Sequence, residues 1–129
     1  MAESDRLIQG YARALFSVAE AEGSLDEVEA ELYQFAKTVE READLREALT
    51  DPQLPAERKK AVIQELLGNK ADRHTVSLLG FLVDQGRAKD LPRIIDALMQ
   101  VAAERHERSV AELRSAVNSS AAQIIRRSF

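Results

Sequence analysis

His74 and His106 are the only imidazoles in the chain, and neither is placed for catalysis. Neither has a histidine four residues on, so no helical metal pair forms and no HExxH pattern exists. His106 lies in Glu104-Arg105-His106-Glu107-Arg108, a stretch that reads as solvated, and both histidines are expected to be ordinary exposed ones. There is no cysteine, hence no thiolate nucleophile, thiolate ligand or disulfide. Gly-rich phosphate loops and a Ser nucleophile elbow are both missing. Of the many carboxylates none sits in an obviously apolar setting except Asp84. No catalytic, metal or cofactor-binding residue is therefore assigned, and the chain is read as a non-enzyme.

The chemistry that remains is that of side chains meeting side chains. On a helical wheel, Gly10, Ala14, Ser17 and Ala21 form a stripe spaced four, three and four. All four are small, which lets another backbone approach. Gly10 lowers helix propensity by about 1 kcal/mol relative to Ala, so a packing reason is expected. Two readings are open: the stripe packs a helix of the same bundle, or it forms a groove for a helix of another chain. In a later helix, Phe81 falls outside the apolar arc of Val76, Leu78, Leu79, Leu82 and Val83, among His74, Ser77, Asp84 and Gln85. It is either a rim contact or an exposed docking residue. Gly80 beside it again permits close approach.

Six helices must carry these residues. Apolar spacings of three and four recur between glycine and proline punctuation, and no strand is expected in residues 1–108. The first helix is expected from Asp5 to Glu22, with Leu7, Ile8, Tyr11, Ala12, Leu15, Val18 and Ala19 on one face. The second starts at Ser24, whose hydroxyl would form a capping box with Glu27; it buries Leu25, Val28, Leu32, Phe35 and Val39. A third covers Ala43 to Leu49. The fourth starts near Pro55 and ends before Gly68, burying Val62, Ile63, Leu66 and Leu67. The fifth spans Asp72 to Gln85, and Asp90 would cap the sixth, which carries Leu91 to Ala102. The fold class is all-α: a six-helix bundle with a short C-terminal tail.

At 129 residues the length suits one domain, and 45% hydrophobic against 31% charged residues reads as globular. The net charge of −4 is unevenly spread. Residues 1–51 hold 13 acids and 5 bases, whereas residues 52–129 hold 9 acids and 13 bases. An acidic first half argues against nucleic acid as the main partner. No apolar run approaches the roughly 18 residues of a membrane span, so no direct membrane insertion is expected.

Two segments carry a family resemblance. Gly10-Tyr11-Ala12-Arg13-Ala14-Leu15-Phe16 resembles the "YAxALF" opening of the delta subunit of bacterial F-type ATP synthase, whose mitochondrial counterpart is the oligomycin-sensitivity-conferring protein. Leu78 to Arg87, followed by Leu91-Pro92-Arg93-Ile94, is similar to that family's apolar helix ending in "NGR" and then "LPxI". Leu54-Pro55 followed by Lys59-Lys60 fits as well. The resemblance covers residues 5–108.

It implies a six-helix N-terminal domain, residues 1–108, seated on the catalytic head of the synthase. Helices one and five would form a groove that receives the N-terminal helix of an alpha subunit. Tyr11, Ala14 and Phe81 would line that groove beside Gly10 and Ser17, with Leu15 and Val83 supporting it from the core. The implied role is a non-catalytic stator in the peripheral stalk, peripheral to the cytoplasmic face of the bacterial inner membrane and without cofactors. The family binds its b subunit through a C-terminal α/β domain. Here Ser115-Ala116 resembles the opening of that domain, so residues 109–129 read as a linker or stub, and b-subunit binding is in doubt. Residues 115–129 are expected to be disordered, helically extended or packed on a neighbour. Two other readings stand beside this one: a small all-helical RNA-binding regulator using Lys59, Lys60, Lys70 and Arg73, and a self-associating bundle.

Overall fold

The computed structural model describes the backbone of residues 2–128 and the side chains of residues 4–108 and 110–115. Six α-helices form: α1 (Ala2–Ala21), α2 (Leu25–Arg41), α3 (Ala43–Thr50), α4 (Ala56–Leu67), α5 (Arg73–Asp84) and α6 (Leu91–Ser128). Short 3-10 turns precede α5 at Gly68–Lys70 and α6 at Ala88–Asp90. Among the described residues there is no strand.

The core is the meeting of α6 with α1 and α2. Ile8, Ala12, Leu15, Phe16 and Ala19 of α1 face Ile94, Ile95, Leu98 and Ala102 of α6, and Val28, Leu32 and Phe35 close the layer from α2. Each large side chain fully buried in this way contributes about 1.5–3 kcal/mol. α4 lies against α5, while α3 packs on α2 and on the turn before α6.

Glycine ends two helices where the chain must turn left-handed. Gly23 has φ +70° and Gly86 φ +76°. At the first, Ser24 N–H donates to Ala19 O (2.9 Å) and Gly23 N–H to Glu20 O (3.1 Å). At the second, Arg87 N–H donates to Leu82 O (2.9 Å) and Gly86 N–H to Val83 O (3.0 Å). Both are Schellman turns, which satisfy the last carbonyls of a helix.

Several expectations are corrected. Ser24 makes no side-chain cap on α2, because its buried hydroxyl is turned to His74 on α5, at 2.9 Å; the capping box with Glu27 does not form. Asp90 closes the 3-10 turn that leads into α6, and its carboxylate faces Arg87 (3.6 Å) and Arg93 (3.9 Å). In α4 only Ile63 is fully buried, and Leu66 is 38% exposed, because α3 stands off from this helix. On α5, Thr75 rather than Val76 occupies the core arc. α6 continues unbroken past residue 108 to Ser128, so helical extension is the form the backbone takes there; side chains 116–129 lie outside the described residues.

Candidate helix-binding groove

α1 has two apolar faces. One is the core face. The other turns to solvent: Leu7 is 40% exposed and Val18 46%, although the pattern had put both in the core. Gly10, Ala14, Ser17 and Ala21 are exposed beside them. Among the described residues no helix covers this stripe, although Ser17 at its edge borders a cleft with Val101 and Glu104 of α6, and a Cβ added at Gly10 would meet nothing within 4 Å. At 100° per residue these side chains, with Tyr11, cover about 120° of the helix with no charge among them. Leu7 to Ala21 extends about 21 Å along the axis.

α5 supplies the opposite wall. Phe81 is 46% exposed and meets Tyr11 edge to face, with ring centroids 6.4 Å apart and planes at 64°. Such pairs contribute about 0.5–1.5 kcal/mol beyond area burial. The Arg87 guanidinium lies over the Tyr11 ring, 5.9 Å from its centroid. The tail end of α5 thus meets the first half of α1. At the other end, His74 in the first turn of α5 reaches Ser24 and lies 3.5 Å from Glu22, just beyond α1. The two helices run antiparallel and are tied at both ends, with the exposed face of α1 open beside Phe81.

His74 is not the ordinary exposed histidine expected; its side chain is 22% exposed. Its Nδ1 is 2.8 Å from Asp72 Oδ1 and 2.9 Å from Ser24 Oγ. A carboxylate only accepts, which assigns the Nδ1 proton to a bond shared between the two oxygens. Asp72 is also the N-cap of α5, accepting from His74 N–H at 2.8 Å. That backbone bond, and then the imidazole, hold the Asp72 carboxyl below its ordinary range. His106 is exposed, 3.7 Å from Glu29.

Glu31 of α2 was missed from the sequence. Both its oxygens accept from Asp72 N–H (2.9 and 3.0 Å), and one accepts from Thr75 Oγ1 at 2.7 Å. Glu27, Glu29 and Glu31 look alike in an acidic run, and only the docking of α5 distinguishes one of them.

Of the remaining sequence-picked residues, Leu15 and Val83 are buried. Val83 sits on the side of α5 away from Phe81, at a cleft of about 330 Å³ lined by Leu49, Pro52 and Ala88. Gly80 does not face the groove: its open side is against the Lys60 stem, 3.6 Å from Cδ. Lys60 pairs with Asp84 at 2.9 Å, which ties α4 to α5 and removes one cation from the basic group Lys59, Lys60, Lys70 and Arg73. Among the described residues no group of His, Asp and Glu is arranged to hold a metal, and no helix is long and apolar enough to cross a membrane.

Residues 7–126 match the family described as ATP synthase delta (OSCP) subunit. The chain is 40% identical over 101 residues to ATP synthase subunit delta of Streptomyces griseus, covering 78% of this chain and 37% of the relative. It is 30% identical to that of Microcystis aeruginosa over 124 residues, covering 95% of this chain and 68% of the relative. The fold is similar to a chain in the cryo-EM structure of Polytomella F-ATP synthase, F1 head and rotor (TM-score 0.66, 29% identity, 74% of this chain and 85% of that one). It is also similar to a chain of the Toxoplasma gondii mitochondrial ATP synthase hexamer (TM-score 0.64, 30% identity, 70% and 51%). The chain spans little more than a third of the length of the Streptomyces relative.

Proposed function

Since the chain belongs to the ATP synthase delta (OSCP) subunit family, we propose that the open face of α1 and Phe81 of α5 receive an amphipathic helix, the N-terminal helix of an alpha subunit of the catalytic head. The observation that carries this reading is the uncharged, solvent-facing strip Leu7, Gly10, Ala14 and Val18 beside the Tyr11–Phe81 pair. Small residues let a guest backbone come close, and the aromatic edge and aliphatic tips offer sockets for its apolar side chains. A strip about 21 Å long accommodates about four turns of helix.

In this role the chain performs no catalysis. It acts as a stator element, holding the head against rotor torque at the cytoplasmic face of the membrane as a peripheral component. Contact with a b subunit belongs to the family's C-terminal domain and is not assigned to residues 1–108. The test is a titration of this chain with a synthetic alpha N-terminal peptide, paired with capture of the catalytic head before and after trimming the alpha N-termini. Saturable binding and loss of capture on trimming are expected. A peptide that leaves the Tyr11 and Phe81 resonances unmoved would overturn the assignment.

A further inference from the structure

A cleft of about 320 Å³ lies in the seam between α1 and α6 and opens at the edge of the small-residue strip, where Ser17 borders it. Arg13 and Glu20 of α1 line one side, and Glu104, Arg105 and Arg108 of α6 line the other. Three guanidinium groups thus face two carboxylates. Glu20 is matched to Arg105 at 3.6 Å. Among the described residues Arg13 and Arg108 are in no ion pair, and neither is Glu104. The cleft therefore holds an excess of positive charge, although the first half of the chain is acidic.

The helical period of α1 sets this placement. On the wheel Arg13 stands about 40° beyond Ser17, on the margin away from Tyr11. The strip is thus bounded by an aromatic wall from α5 on one side and by guanidinium groups of α1 and α6 on the other. Arginine presents a planar fork of donors that fits a carboxylate, and its stem can lie on apolar surface while its head stays in water. A helix lying along the strip would carry one flank past this cleft.

We infer, on the footing that an alpha-subunit helix docks along α1, that this cleft is a carboxylate socket. Arg13 and Arg108 receive an Asp or Glu on the flank of the docked helix, beside the second half of α1. Apolar contact with Tyr11 and Phe81 holds the guest, and the charged contact fixes its register and decides which flank faces α6. A flank of Lys or Arg would meet like charge there, which selects against such a guest.

The test titrates the full chain with two synthetic peptides, followed by fluorescence anisotropy. One is the alpha N-terminal sequence, and the other is a copy with every Asp and Glu replaced by Asn and Gln. At low salt the acidic peptide should bind the parent chain about three- to tenfold tighter than its neutral copy, and about 0.5 M salt should erase most of the difference. Arg13→Gln/Arg108→Gln should bind both peptides equally. Its sites are exposed, so its thermal melt should match the parent's. Lys37→Gln/Arg41→Gln, toward the far end of α2, removes the same charge and should keep the parent's preference. Phe81→Ala should weaken both peptides by the same factor. Equal affinity of the parent for the two peptides, or a preference that survives loss of both arginines, would overturn the socket and leave the groove standing. Failure of both peptides to bind would overturn the groove and the socket with it.

Discussion

Ser24 and Arg87 occupy equivalent places in two copies of the same turn. Each follows a left-handed glycine, and each donates its N–H to the carbonyl five residues back, at 2.9 Å. The side chains then cross in opposite directions, Ser24 to His74 on α5 and Arg87 to the Tyr11 ring on α1. The two groove helices are thus tied by residues that their own ends throw backwards. Their separation is set before any guest arrives, which reduces the ordering cost of binding.

Truncating the aromatic wall should therefore affect affinity rather than folding. Phe81→Ala is expected to cost about 2 kcal/mol or more of peptide binding, and Ala14→Asp should abolish it by placing a charge on the uncharged strip. Both sites are exposed, so the melting temperature should hold within a few degrees. Calorimetric titration alongside thermal melts checks both halves.

Gly10→Ala separates stability from function. Nothing lies within 4 Å of the added methyl, so the helix should gain about 0.5–1 kcal/mol of stability. The same methyl stands where a guest backbone would approach. A higher melting temperature with weaker peptide binding is the expected pair of results; unchanged affinity would show that the guest does not come close at Gly10.

Gly86→Ala forces an L residue to φ +76° and should cost about 1–2 kcal/mol in chemical denaturation. There is open space around the new Cβ, so backbone strain is the whole effect. Displacement of Arg87 should register as a shift of the Tyr11 ring resonances.

Glu31→Ala leaves the fully buried Thr75 hydroxyl without its acceptor, a loss of about 1–3 kcal/mol. Thr75→Val in the same background should recover part of that loss, because the orphaned group is then gone. A double-mutant cycle with no coupling would refute the shared bond.

Asp72 predicts a pH dependence. Its folded carboxyl is held below the ordinary value of 3.8, so its contribution is fully present above that value. It is lost as pH falls through the lowered folded value. Asp72→Ala should accordingly destabilise the chain at pH 7 and differ progressively less from the parent below pH 3.8. Denaturation midpoints of both proteins across pH 2.5–7 would show the convergence.

Much of this architecture can be read from residue spacing. Gly23 and Gly86 mark two helix ends, and the core faces of α2 and α6 follow the helical period, with Leu25 and Val101 half-buried at their margins and Ala36 and Ala97 filling the buried arc. Phe81 stands out because an aromatic among His74, Ser77 and Asp84 breaks the period. Periodicity fails at Leu7, Val18 and Leu66, where an apolar side chain on a helix says nothing about whether another helix arrives to cover it. Ser24 fails for a related reason. A serine three residues before a glutamate has a local partner available, but a histidine fifty residues away took the hydroxyl.

Glu31 has one further consequence. Its carboxylate, projecting from α2, completes the hydrogen bonding at the start of α5 through Asp72 N–H and Thr75. α5 in isolation lacks that partner, and a helix of 12 residues is marginal by itself. The wall that carries Phe81 thus forms only when α2 is docked, which couples the groove to the cooperative unit of the core. Amide protons of α5 should exchange through the same opening event as those of α2, and the groove should disappear with the global fold rather than fray before it.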